Sequence, residues 1–110
     1  MIIYRGIAKA KLSKDRFYTT SLTEAVAIAA IECHQHGLPI EHAIVNKAVV
    51  QKYQVWLDRT TTRSTHYSLR YDMGVKALSY TDLRDILSAG DWAVLNAPIT
   101  YLKNFIHQFN

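Results

Sequence analysis

A segment in the second half of the chain interleaves arginines, hydroxyl groups and aromatic rings and contains no acidic residue. It runs from Arg59 to Tyr71 and reads RTTTRSTHYSLRY. Arginine side chains bind phosphate oxygens and tyrosine rings stack on bases, so this composition is typical of a surface that binds nucleic acid. The candidate binding residues are Arg59, Arg63, Tyr67, Arg70 and Tyr71. The alternative interpretation is a solvated hairpin without a ligand.

The histidines and the cysteine are the residues whose chemistry suits metal ligands or a nucleophile. The chain has five histidines and one cysteine. His34 and His36 are two residues apart, which directs them to different sides of a helix, and the other histidines are scattered, so the spacing is not that of a metal site. Cys33 lies in an apolar helical segment, where a thiol is unreactive. We therefore predict no metal and no thiol nucleophile.

The N-terminal third of the chain has the clearest local structure. β-Branched and aromatic residues predict a strand over 1–7 and a second, short strand over 17–20. Ser21 and Glu24 have the spacing of a capping box, in which the glutamate side chain reaches back to the backbone of the serine. The alanine-rich run that follows predicts a buried helix, which Gly37 ends.

The remaining elements are shorter, and one of them stays open. Residues 42–50 fit either a strand or a helix, because their apolar residues satisfy both periodicities. Strands are predicted over 66–71, 75–80 and 92–95, a helix over 82–89 capped by Thr81, and a last helix beginning at Pro98. This order indicates an α+β fold, a single compact domain with a small mixed or antiparallel sheet and two to three helices.

The length and the net charge of the chain limit the number of domains and the kinds of partner that it can have. The chain has 110 residues, enough for one domain, 1–110, and carries a formal net charge of +4. No apolar run reaches the roughly 18 residues of a membrane helix, and the first residues lack the pattern of a signal peptide. We therefore expect a cytoplasmic protein without a membrane partner. The moderate basic charge suits binding of a dinucleotide, a nucleic acid or an acidic protein surface.

Two segments near the N-terminus resemble the ADP-ribosyltransferase superfamily. The first is Tyr4-Arg5-Gly6, at the end of the opening strand, and the second is FYTTS over 17–21, followed by a helix rich in alanine. The resemblance implies an NAD-binding pocket in which Arg5 and Gly6 bind the cofactor. Thr19, Thr20 and Ser21 would line this pocket. An arginine fork suits the diphosphate of NAD.

A third, weaker similarity concerns the catalytic acid. The residues DWAVL over 91–95 resemble the late strand that carries the catalytic glutamate of that superfamily. The resemblance places Asp91 at the catalytic position, with a side chain one methylene shorter than glutamate.

These observations predict two functions of different class. The first is an ADP-ribosyltransferase-like NAD-binding domain with Asp91 as a non-standard catalytic acid, a bacterial toxin or phage effector that modifies a host protein or nucleic acid. The second is a non-enzymatic binding or inhibitor protein that docks through the basic segment 59–71 on nucleic acid or on an acidic protein surface. The first requires a cleft that unites Arg5, Thr20 and Asp91. The second requires Arg59, Arg63 and Arg70 on one exposed face.

Overall fold

The centre of the molecule is an antiparallel sheet of six strands. The computed structural model describes residues 1–9, 17–70 and 74–110. In chain order the strands are β1 (Ile2–Ala8), β2 (Tyr18–Thr19), β3 (Ala43–Val49), β4 (Val55–Thr60), β5 (Thr65–Leu69) and β6 (Val75–Leu78). Their spatial order is β4-β5-β2-β1-β3-β6. All five neighbouring pairs are antiparallel. Of the two sheet types that the sequence predicts, mixed or antiparallel, the antiparallel sheet is therefore the one formed.

Four α-helices accompany the sheet in the described residues, one more than the sequence predicts. They are α1 (Leu22–Gln35), α2 (Tyr80–Ile86), α3 (Ala89–Leu95) and α4 (Ile99–Ile106), with single 3-10 turns at Ile40–His42, Lys52–Gln54 and His107–Phe109. The main core lies between the sheet and these helices and includes Val45, Leu83, Leu95 and Leu102. The Cα radius of gyration is 13.0 Å, the value of a compact domain of this length. The α+β prediction is therefore confirmed.

Helix α1 packs directly on β1, and a glycine makes the close approach possible. Ser21 begins the helix, since its hydroxyl accepts a hydrogen bond from the backbone N–H of Glu24. Gly37 follows the helix with a φ of +64°, the left-handed conformation expected after a helix end. On β1, a Cβ atom added to Gly6 would lie 2.0 Å from the carbonyl oxygen of Ala25 and 2.6 Å from the backbone nitrogen of Ala29. Strand and helix backbones thus touch without an intervening side chain.

The opposite face of the sheet carries a second, smaller apolar cluster. Side chains alternate between the two faces of a strand, so Gly6 and Ala8 face α1 while Ile3 and Arg5 face away. Ile3 is fully buried in this second cluster together with Tyr18, Ala48, Val50 and Val55. The sheet therefore separates two environments, and residues that are neighbours in sequence on β1 and β2 belong to different ones.

Three local predictions are decided or corrected by the structure. Residues 43–49 form strand β3, which lies between β1 and β6 and pairs with both. Residues 92–95 are helical, in α3, and the strand prediction is wrong because Ser88 caps a helix there and a short apolar run fits either structure. Helix α2 is capped by Ser79, two residues before the predicted Thr81. Ser79 and Asp82 form its capping box.

No helix in the ranges 1–9, 17–70 and 74–110 is long and apolar enough to cross a membrane.

Candidate functional site

A network of buried polar side chains joins β2, α1 and β5. Glu24 is 3% exposed and His66 is 4% exposed. One carboxylate oxygen of Glu24 lies 2.7 Å from Nε2 of His66, and the other accepts a hydrogen bond of 2.8 Å from the hydroxyl of Thr19. Burying a carboxylate is costly unless it is paired and hydrogen-bonded, and here both oxygens have partners.

The hydrogen bonds assign the tautomer of the histidine. Nε of Arg59 lies 2.6 Å from Nδ1 of His66. A guanidinium only donates, so Nδ1 must accept, and the ring proton sits on Nε2, from which it is donated to Glu24. The imidazole is therefore held between a cation and an anion. The same guanidinium donates from Nη2 to the side-chain oxygen of Asn110 at 3.3 Å, which ties the end of the chain to the network.

The geometry of this network is not that of a nucleophilic triad. In a triad the hydroxyl and the carboxylate contact opposite nitrogens of the imidazole. Here the hydroxyl of Ser64, at 3.2 Å, and the carboxylate of Glu24 meet the same nitrogen, Nε2 of His66. Arg59 occupies the other nitrogen. Ser64 is therefore not activated, and the network fastens strands and helix together.

Strand register brings these residues to one place. Thr19 lies opposite His66 in the β2–β5 pair, and Arg59 lies opposite His66 in the β4–β5 pair. A β-bulge between Leu57 and Arg59 shifts the register of β4. Bulges re-aim side chains at the edge of a sheet, and the extra residue here brings Arg59 opposite His66.

A pocket of about 200 Å³ opens next to the network. Its polar wall contains Thr19, Glu24, Arg59, His66 and Asn110, and its apolar wall contains Phe17, Ile28 and Ile106. The buried carboxylate and imidazole that line it already satisfy each other. The pocket lies between this network and the end of α4, where Ile106 forms part of its wall.

No pattern in the sequence predicts that Glu24 and His66 are partners. The capping-box prediction is half wrong, because the side chain of Glu24 turns into the core instead of reaching back to Ser21. Thr19 replaces it, accepting a hydrogen bond of 3.1 Å from the backbone nitrogen of Ser21. The one available signal was an acid at the start of an otherwise apolar helix, and that signal has the same form in a surface cap.

Arg5 lies on the other face of the sheet, away from this network. Its register partner is Asn46 on β3, and Ile3, two residues earlier on the same face, is fully buried. Nε of Arg5 is buried, and no described residue forms a hydrogen bond with it. Nearly all buried polar groups have a partner, so an Nε without one among the described residues marks Arg5 as a candidate binding side chain.

The hydroxyl residues of the predicted NAD pocket are occupied in local structure. Thr19 bonds to Glu24, and Ser21 caps α1. Thr20 joins β2 to β5, since its hydroxyl accepts a hydrogen bond of 3.2 Å from the backbone nitrogen of Thr65. Gly6 serves the contact with α1. The structure therefore does not gather these residues around Arg5.

Asp91 lies in the first turn of α3 and not at the end of a strand. The hydroxyl of Thr23 on α1 donates to its carboxylate at 2.8 Å, and Ser88 caps its backbone nitrogen at 3.1 Å. Helices α1 and α3 lie on the sheet face opposite the side chain of Arg5. The expected cleft uniting Arg5, Thr20 and Asp91 is not formed, and Asp91 joins two helices.

The arginines of the basic segment are spread along the β4 and β5 strands: Arg59 lies on β4, and Arg63 and Arg70 flank β5. Arg59 and Arg63 are exposed near the end of the chain, and Nη1 of Arg63 donates to the side chain of Gln108. Arg70 lies at the other end of β5, with its guanidinium 4.2 Å from the centre of the Trp56 ring.

Tyr67 pairs with Tyr18, so it packs on the second cluster and not beside these arginines. Tyr71 lies outside the described residues. The interleaved arginines and tyrosines of the sequence therefore do not share one surface.

Cys33 is 1% exposed within α1, as the sequence predicts. Burial, reinforced by the nearby charges of Glu32 and Glu41, raises the pKa of its thiol from 9.0 to about 11. A thiol with a raised pKa is a poor nucleophile at neutral pH. In the described part of the chain, no three histidine, cysteine or acidic side chains come together as metal ligands.

Comparison with known proteins gives no relative: no family model, curated protein or solved structure matches this chain.

Proposed function

We propose that this domain binds NAD, or another nucleotide with a diphosphate, through Arg5, as an ADP-ribosyltransferase-like domain. The observation that carries the proposal is the buried Nε of Arg5, which has no hydrogen-bond partner among the described residues. A guanidinium is the side chain best matched to diphosphate oxygens, because it donates two parallel hydrogen bonds in a fixed plane. Asn46, opposite Arg5 on β3, has an amide that can bond to a neighbouring ribose or phosphate.

The proposal assigns binding to the Arg5 face and no catalytic role to Asp91. NAD brings the bond between nicotinamide and ribose that a transferase breaks. Transfer to a host protein or nucleic acid would need a carboxylate on the face of Arg5, and Asp91 lies across the sheet from it. The proposed function is therefore an NAD-binding domain whose catalytic acid, if transfer occurs, is not Asp91.

Ligand-observed NMR of NAD with the wild-type chain and with Arg5→Ala tests the proposal. A charged hydrogen bond contributes about 1.5–3 kcal/mol, so Arg5→Ala should weaken NAD binding by roughly 10- to 150-fold. Arg63→Ala is the matched control, because Arg63 is an exposed arginine whose guanidinium bonds, among the described residues, to the neutral side chain of Gln108. Far-UV circular dichroism checks that each variant is folded.

Each result has a definite meaning. ADP-ribose should compete with NAD, whereas nicotinamide alone should not, because the diphosphate is the recognised group. Equal losses for Arg5→Ala and Arg63→Ala would mean that general basic charge attracts the ligand. Absence of binding to the wild type at millimolar NAD would overturn the proposed function.

A further inference from the structure

The β4 edge of the sheet has the character of an interaction surface. Strand β4 is the last strand at its edge of the sheet among the described residues. Two of its residues, Trp56 and Leu57, are 54% and 61% exposed, and Tyr53, just before the strand, is 72% exposed. Edge strands present unpaired backbone groups, and soluble proteins normally cover or charge them rather than place large apolar residues there. An exposed apolar edge therefore indicates a partner.

The two faces of this edge differ in chemistry. Register places Trp56 opposite Ser68 and Leu57 opposite Tyr67. Trp56 thus lies on the face of His66, with Arg70 stacked on its ring and Arg59 three residues further along the strand. Leu57 lies on the other face, which is apolar. A strand added to β4 would meet cations and an aromatic ring on one face and apolar side chains on the other.

The charges around the edge select the partner. Lys52, Arg59, Arg63 and Arg70 are exposed here. Asp58 is the one acidic residue within 52–70, and its carboxylate accepts a hydrogen bond of 2.6 Å from Ser68. Within the described residues none of the four cations forms an ion pair, since the partners of the three arginines are neutral side chains. A second copy of this chain would set these cations against one another, whereas an acidic partner would neutralise them.

We propose that the β4 edge binds an extended, acidic segment of a partner protein by strand addition. Main-chain hydrogen bonds to β4 supply affinity in this mode, and alternate side chains supply specificity. The segment alternates acidic residues, which meet Arg59 and Arg70 beside Trp56, with apolar residues, which cover Leu57. The site is separate from Arg5, which lies on β1.

The probe for this proposal is a fluorescein-labelled peptide of alternating glutamate and valine, about eight residues long to match the strand. In fluorescence anisotropy it should bind the wild type, and added salt should weaken binding. Leu57→Glu should weaken binding about tenfold or more, because it replaces an apolar contact with a charge of the same sign as the peptide. Val49→Glu is the matched control, at a position that is 67% exposed on β3.

Two further peptides separate strand addition from charge attraction. A glutamate–proline peptide has the same charge but lacks half of the backbone N–H groups, and a lysine–valine peptide reverses the charge. Neither should bind. With Trp92→Phe, the fluorescence of Trp56 reports on the edge alone and should change only with the glutamate–valine peptide.

Four results would overturn the proposal. The first is that the glutamate–valine peptide does not bind, and the second is that the glutamate–proline peptide binds as tightly as it does. The third is a dimer of the wild type in sedimentation that Leu57→Glu abolishes. The fourth is that oligo-dT binds more tightly than the glutamate–valine peptide and that Leu57→Glu does not change its affinity. The third would assign the edge to a second copy of the chain, and the fourth would assign the cations to nucleic acid. None of them depends on whether NAD binds at Arg5.

Discussion

The contact between Gly6 and α1 makes a sharp prediction about stability. In Gly6→Ala the new methyl group would lie 2.0 Å from the carbonyl oxygen of Ala25 and 2.6 Å from the backbone nitrogen of Ala29. Both are backbone atoms of a buried helix, so no side-chain rotation relieves the overlap. Ordinary contact begins at 3.4 Å, and α1 must therefore retreat from β1 by about 1.4 Å.

That retreat has a cost that can be bounded. A radial gap of 0.5–1 Å already removes roughly a quarter to a half of the van der Waals attraction across an interface. Overpacking a core costs typically about 1–3 kcal/mol, and Gly6→Ala should lie at the upper end, about 3 kcal/mol, because the whole length of α1 is displaced. With a urea slope of about 1–3 kcal/mol/M, the unfolding midpoint should fall by roughly 1–3 M.

Urea unfolding followed by circular dichroism measures this change, with Gly90→Ala as the matched control. A Cβ atom at Gly90 meets only the hydroxyl of Ser88, at 3.9 Å, so alanine fits there without displacement. Alanine is favoured over glycine in helices by up to about 1 kcal/mol, and the control should be unchanged or slightly more stable. A loss below about 1 kcal/mol for Gly6→Ala would refute the close packing of β1 on α1.

Three other predictions follow from the buried network, the thiol and the interhelical contact. Glu24→Gln leaves one acceptor oxygen for two donors, the N–H of His66 and the hydroxyl of Thr19, and removes the charge from the remaining hydrogen bond, so it should lower the free energy of unfolding by about 1–3 kcal/mol in urea titration. Because the pKa of the Cys33 thiol is raised, its contribution to stability is present below pH 9 and is lost as the pH rises towards about 11. Wild type should therefore lose stability relative to Cys33→Ala over that range of pH. Asp91→Ala should lower stability by about 0.5–1.5 kcal/mol through loss of the Thr23 hydrogen bond, and should leave NAD binding unchanged.

Controls separate these effects from general charge changes. Glu41→Gln removes an exposed carboxylate and should change stability by less than about 0.5 kcal/mol. If Glu24→Gln behaves like Glu41→Gln, the buried network does not stabilise the fold. In Cys33→Ala the loss of stability over that range of pH should disappear. If the free energy of unfolding of Cys33→Ala falls with pH as steeply as that of the wild type, the thiol is not the cause of the loss. A loss of NAD binding in Asp91→Ala, with the fold intact, would return Asp91 to the cofactor site.

Local signals in the sequence predict the structure well where one physical cause dominates. The β-branched residues of β1 favour a strand, and β1 forms one that pairs with a neighbour on each side. The alanine-rich run between the Ser21 cap and Gly37 favours a helix, which is α1. Pro98 marks the start of α4, because its missing N–H lies where a helix has no internal partner. The prediction fails at residues 92–95, since a short apolar run carries no period long enough to tell strand from helix.

The sequence by itself determined the α+β class, the buried α1 and the inert Cys33, because composition, capping and burial act within a few residues of chain. Only the tertiary structure decided which side chains meet. The pleat of β1 and β2 sends Arg5 and Thr19 to opposite faces of the sheet, although the resemblance places them in one pocket. The pairing of β2 with β5 and the packing of α1 on the sheet bring Glu24 and His66, 42 residues apart, within 2.7 Å. Such pairing depends on strand order and on the bulge in β4, which no local pattern of residues encodes.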